Sequence, residues 1–133
     1  MKTECLSDFF EFGGKTYPCS ISLAMDLIDG KWKAVILHHL QGDSKRFSEL
    51  RRHLTGVTEA MLSNLLKELE HDGLIARRIF GEKPPLRSAY SLTAFGRTVL
   101  PVLAGILDWG NQVVEEYGQF VFPYDAGKNS RTA

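Results

Sequence analysis

Thr55-Gly56-Val57-Thr58-Glu59-Ala60-Met61-Leu62-Ser63-Asn64-Leu65-Leu66-Lys67-Glu68-Leu69 is the stretch that decides the fold. Gly56 breaks the chain, and Thr58 has a hydroxyl suited to accept an N–H in the first turn of a helix. At about 100° per residue, Leu62, Leu65 and Leu69 fall together, with Met61 and Leu66 at the edges. The spacing predicts a helix to Asp72, closed by Gly73 just past its end. Its outer face carries Ala60, Ser63, Asn64 and Lys67, flanked by Glu59 and His71. A surface helix usually answers a leucine face with Glu and Lys. Here the N-terminal half of the outer face is small and neutral, which permits close approach to a groove.

Working outward, Ser48 is expected to cap a helix to about Leu54, with Leu50 and Leu54 inward. The tight link Thr55-Gly56-Val57 then predicts a helix-turn-helix over residues 48–72, with its second member in the place of a recognition helix. Downstream, 74–80 and 88–92 favour strands, joined by the turn Gly81-Glu82-Lys83-Pro84-Pro85. They form a hairpin, or wing, with Lys83 and Arg87 at its tip. Upstream lie a short extended link at Lys45-Arg46-Phe47 and helices over 20–28 and about 31–40. Trp32, Val35, Ile36 and Leu40 face inward in the second of these. A long helix runs from the Thr93 cap to about Tyr117, with a kink or break expected at Pro101. Residues 1–18 read as an aromatic arm without helical period. Phe120, Val121, Phe122 and Tyr124 are expected to pack back, and 127–133 to be disordered.

The fold class is therefore mainly α with a small β-hairpin: a winged helix-turn-helix with N- and C-terminal dimerisation elements. The arm spans 1–18, the winged domain with its dimerisation helices 19–117, and the tail 118–133.

The 133 residues carry sixteen basic and sixteen acidic side chains, for a net charge of zero. That total conceals a division. Residues 1–30 hold two basic against five acidic, 31–97 twelve against seven, and 98–133 two against four. The basic third is the helix-turn-helix and wing, so one face is expected to bind phosphate and the opposite face not. Asn64 can pair with adenine, Ser63 can bond either base type, and Lys67 can reach guanine or phosphate. Thr58 and the free N–H groups near Ala60 suit a phosphate. Lys45, Arg46, Arg51 and Arg52 are expected to grip the backbone on one flank, and Lys83 and Arg87 to enter the minor groove or hold phosphates on the other. The alternative is a winged-helix protein-interaction module without DNA binding, its basic face merely solvated.

Val99, Leu103, Ile106, Leu107, Trp109, Val113 and Val114 cover more of the last helix than one core needs, since about 100° of arc suffices. Ile21 and Met25 make the first helix apolar on more than one side. These elements predict a two-fold homodimer.

Other chemistry finds no support. His38 and His39 are adjacent and diverge on a helix, so they cannot share a metal at i, i+4. No phosphate loop or nucleophile elbow occurs, and no triad stands out. We expect no enzyme, cofactor or metal. The longest aliphatic run, Ala34–Leu37, is far short of the roughly 20 residues of a membrane span. Two cysteines and an acidic N-terminus suggest a reduced, cytoplasmic protein.

Gly30-Lys31-Trp32 followed by Ala34-Val35-Ile36-Leu37 resembles the signature of the HxlR family of bacterial winged-helix transcriptional regulators, relatives of the MarR type. Arg46-Phe47-Ser48-Glu49-Leu50-Arg51-Arg52 is similar to that family's Arg-Phe-x-Glu-Leu-Arg-Arg segment. Asp72-Gly73-Leu74-Ile75, Tyr90-Ser91-Leu92-Thr93 with Gly96, and Trp109-Gly110 fit as well. The resemblance covers about residues 17–112 and implies a homodimer on a pseudo-palindromic operator. The chain departs from the pattern at Ser20, Asp29 and Ser88-Ala89.

Cys19 precedes the first helix, where the positive end of the dipole favours thiolate. The redox-sensing branch of the resembled family implies reaction there with oxidants, quinones or aldehydes, with Cys5 able to resolve a sulfenate. The other reading packs Cys19 as a small apolar residue. Effector identity stays open between a small molecule and an oxidant.

Overall fold

Three kinds of local signal, namely capping hydroxyls, breaking glycines and leucine spacing, place most elements where they form. The computed structural model describes residues 9–119. Cys5, Phe120, Val121, Phe122, Tyr124 and segment 127–133 lie outside the described residues. The order is β1 (Phe10–Phe12), β2 (Lys15–Tyr17), α1 (Ser20–Leu27), α2 (Lys33–His39), β3 (Lys45–Arg46), α3 (Phe47–His53), α4 (Glu59–His71), β4 (Ile75–Phe80), β5 (Arg87–Leu92), α5 (Ala94–Arg97) and α6 (Leu100–Tyr117).

Two β features exceed the expected wing. The arm forms an antiparallel hairpin, with Phe10 opposite Tyr17 and Phe12 opposite Lys15. Strands of three residues are too short to display an alternation. The link at Lys45–Arg46 is a third strand: Lys45 pairs with Tyr90 and Arg46 with Ala89. The wing sheet is thus three-stranded, in the order β3-β5-β4.

The cap of α3 differs from expectation. The helix starts at Phe47, with Arg46 as N-cap and Ser48 inside the first turn. The Arg46 backbone N–H donates to Glu49 Oε1 at 3.0 Å. A carboxylate three residues on replaces the capping hydroxyl, as in half of a capping box. That N–H, aided by the Arg46 charge, holds the Glu49 carboxyl below its usual range.

Helix α4 is capped as expected, Thr58 Oγ1 accepting the Met61 N–H at 3.1 Å. Its buried residues are Leu62, Leu66 and Leu69, while Leu65 is half-buried and Met61 exposed. With leucines at 62, 65, 66 and 69, two helical faces fit the spacing equally, and packing selects the one centred on Leu66. In α2 and its C-cap the fully buried residues are Ile36, Leu37 and Leu40, and the N-cap Trp32 and Val35 only flank them. The expected last helix is two: the chain breaks at Thr98-Val99, and Pro101 falls in the first turn of α6. A proline costs little there, because that N–H has no helical partner.

The core joins α2, α3, α4 and the inner face of the wing sheet through Leu50, Leu54, Val57, Ile75, Tyr90 and Leu92. Gly56, at φ +94, makes the turn that lets α3 and α4 both reach it. Among the described residues no helix is long and apolar enough to cross a membrane.

Candidate nucleic-acid interface

Burial of Leu62, Leu66 and Leu69 turns the opposite side of α4 outward. Ala60, Asn64 and Lys67 are exposed there and Ser63 is half-buried. Between this face and the wing lies a groove of about 690 Å³. From the expected set, Arg46, Ser63, Lys67 and Arg87 line it together. Thr58, Ala60 and Asn64 continue along the exposed N-terminal part of α4 without lining the groove. Lys83 and Arg87 edge a smaller hollow at the wing tip, with Phe80 and Leu86.

The other cations of that flank stand apart. Arg51 and Arg52 are exposed on α3. Lys45 is half-buried and pairs with Asp43 at 3.5 Å, so part of its charge is answered within the chain. Arg46 also has an internal partner, Glu49, at 3.6 Å.

The groove contains residues that sequence reasoning missed: Ser48, Glu70, Arg77, Ser88 and Tyr90. Arg77 pairs across the sheet with Tyr90, which is what turns it toward α4. Alternation on β4 carried this signal, but only once the inner face was known. Four cations face one carboxylate, Glu70, so an anion is the natural occupant.

The rear of α4 is held by a buried cation. Lys33, only 6 % exposed, places Nζ 3.0 Å from Glu68 Oε2 and 3.3 Å from Asp29 Oδ1. Burial works against its charge, but the two carboxylates outweigh that and raise its pKa. The pair fastens α2 to the half of α4 away from the expected base contacts. Nearby, the Tyr17 phenol donates to Asp26 Oδ2 at 2.6 Å. That bond lifts the Tyr17 pKa to about 12 and lowers that of Asp26. It ties the arm hairpin to α1.

Cys19 is the N-cap of α1, is buried and is disulfide-bonded. The thiolate chemistry expected at a helix start therefore belongs to its reduced form. On the apolar elements, Ile21, Met25, Ile106, Leu107, Trp109, Val113 and Val114 are exposed. Leu103 and Val99 are not: Leu103 is buried in the chain's own core and Val99 packs against it. The stripe available to a second chain excludes both, because α6 uses that side to close the domain.

Residues 27–117 match the family described as HxlR-like helix-turn-helix. The chain is 44% identical over 94 residues to the uncharacterized HTH-type transcriptional regulator YdeP of Bacillus subtilis (strain 168), covering 71% of this chain and 73% of YdeP. It is similar to the redox regulator HypR in its reduced form, with TM-score 0.68 and 38% identity, covering 73% of this chain and 98% of HypR. The oxidized form of HypR gives TM-score 0.66 at 38% identity, covering 71% and 96%.

Proposed function

The chain belongs to the HxlR-like helix-turn-helix family, and from that premise we propose that it is a sequence-specific DNA-binding transcriptional regulator acting as a homodimer in the cytoplasm. The observation that carries this reading is the cationic groove beside a small-residue helix face, with Arg46, Lys67, Arg77 and Arg87 around Ser63. Helix α4 enters the major groove. Asn64 and Ser63 meet base edges, and Lys67, Arg46 and the wing residues Lys83 and Arg87 hold phosphates. Arg51 and the N-terminal turn of α4 at Thr58 and Ala60 add backbone contacts. The exposed stripe of Ile106, Leu107, Trp109, Val113 and Val114, with Ile21 and Met25, receives a second copy. Two-fold symmetry then sets the recognition helices on half-sites about 34 Å apart.

A redox input through Cys19 fits the same reading. The residue sits between the arm hairpin and α1, whose outer side belongs to the proposed dimer surface. HypR, similar over most of its length, is itself a redox regulator.

Selection of bound fragments from genomic DNA tests the main reading. Enrichment of a two-fold symmetric sequence is expected, and Asn64→Ala should relax preference at one position of each half-site by about 1–3 kcal/mol. No enrichment even at low salt would refute it in favour of a protein-interaction module. For the redox input, oxidant or quinone should release the operator from wild type and not from Cys19→Ser; equal release by both removes Cys19 from the response.

A further inference from the structure

We propose that Arg77 is a DNA-phosphate anchor and that Ser88 holds it in its binding orientation before DNA arrives. The inference rests on the DNA-binding reading and adds to it a residue that the helix-turn-helix pattern does not supply.

The register explains the pairing. Arg77 lies opposite Tyr90, and Ser88 is two residues from Tyr90 on the same strand face. Arg77 and Ser88 are therefore diagonal neighbours on one side of the sheet. Arg77 Nε and Nη2 both donate to Ser88 Oγ, at 3.2 and 3.1 Å. The buried Tyr90 lies on the same face of the sheet, directly opposite Arg77.

One hydroxyl thus engages two of the five guanidinium donors and leaves the others for a ligand. None of the ion pairs among the described residues includes Arg77, in contrast to Lys33, Lys45 and Arg46. Its neighbour Arg78 shares a face with Arg46 and Ala89 and lines a separate hollow with Phe80 and Ser91. Adjacent arginines on one strand therefore serve opposite sides of the wing, and only Arg77 faces α4. A planar fork with spare donors, held in place beside Lys67 and Arg87, suits the paired oxygens of a phosphodiester. An arginine already fixed loses less rotamer freedom on binding than a loose one.

Charge and orientation leave different traces in salt titrations. Each phosphate neutralised adds about 0.9 to the slope of log K against log salt, whereas orientation shifts K at all salts alike. The experiment measures non-specific duplex binding by fluorescence anisotropy for wild type, Arg77→Gln, Arg77→Lys, Ser88→Ala and Arg78→Gln, each checked for folding by circular dichroism. Arg77→Gln should lower the slope by about 0.9 for each bound copy. Arg77→Lys should keep the slope and bind more weakly. Ser88→Ala should also keep the slope and weaken binding about two- to tenfold, the worth of a lost hydrogen bond. Arg78→Gln should leave the wild-type slope. The anchor role is overturned by a wild-type slope in Arg77→Gln, or by an equal slope loss in Arg78→Gln. Undiminished affinity in Ser88→Ala overturns the orienting role. If wild type itself binds no duplex, the DNA-binding reading falls first and this inference with it.

Discussion

Gly96→Ala tests whether α5 truly lies against the base of the wing. An added Cβ would collide with the Leu74 carbonyl oxygen, sit 3.0 Å from its carbonyl carbon and 3.4 Å from Leu92 Cδ2. The first two are backbone atoms, so no side chain can swing aside. Helix α5 would have to lift, but its start is bound to the same carbonyl. Leu74 O accepts the Thr93 N–H at 3.1 Å and the Thr93 hydroxyl at 3.2 Å. Thr93 Oγ1 shares that one hydrogen with Gly73 O, at the shorter distance of 2.6 Å, and accepts the Gly96 N–H at 2.9 Å. Relieving the clash costs one or two of these bonds, at about 1 kcal/mol each, besides about 1–3 kcal/mol of overpacking. We expect a loss of about 3 kcal/mol, and a melting point lower by about 10 °C. Gly42→Ala, with nothing within 4 Å of the new Cβ, should change stability by no more than about 0.5 kcal/mol. Thermal and urea unfolding followed by circular dichroism measure both. A Gly96→Ala melting point within about 2 °C of wild type would refute the close approach of α5 to Leu74.

Val113→Asp places a charge on the exposed α6 stripe and should yield monomers in sedimentation velocity, with single-chain stability changed by no more than about 0.5 kcal/mol; a persisting dimer would move the interface elsewhere. Lys33→Met should cost about 1 kcal/mol in urea unfolding, since Glu68 and Asp29 are exposed enough for water to screen them. Unchanged stability would mean the buried amine contributes nothing net. The His39 ring stacks on His53 at 5.2 Å and meets His38 edge-on at 5.9 Å. Burial first, then His53, His38 and Lys45, push its pKa below 6.5. The unfolded chain then binds the proton more readily, so stability is full above pH 6.5 and is lost as pH falls through the depressed folded value. Proton NMR titration and unfolding at several pH values should show this, with a smaller loss in His53→Gln; an unshifted His39 would sink it.

The helical part of the fold was legible because its signals are local. Thr58, Gly56 and Gly73 act on their immediate neighbours, and Leu62 to Leu69 repeat within two turns. What was not legible depends on distant partners. Lys45–Arg46 is a strand only because β5 offers a free edge, and two residues cannot announce a period. Leu65 and Leu66 compete for the same core, and the choice belongs to the elements packed opposite. Leu103 looks like any other apolar residue of α6, yet α6 must turn one side inward to close the domain. Ser48 shows the reverse case, in which a good local signal yields to Glu49 reaching back to the Arg46 N–H.

The candidate site divides along the same line. Ala60, Ser63, Asn64 and Lys67 share a helix face, which spacing alone establishes. Arg77 and Arg78 are adjacent, identical in type and both exposed. Nothing in their order says which one meets α4. Strand alternation separates them, and a register shifted by one residue would exchange their roles. That register is held on the inner face by Ile75 opposite Leu92 and Arg77 opposite Tyr90. Burial of Ile75, Tyr90 and Leu92 thus decides which arginine the groove receives. A change that slid β4 by one residue would turn Ala76 and Arg78 inward and expose Ile75, at a cost of about 1.5–3 kcal/mol for the isoleucine alone. The hydrophobic core therefore sets the electrostatics of the groove.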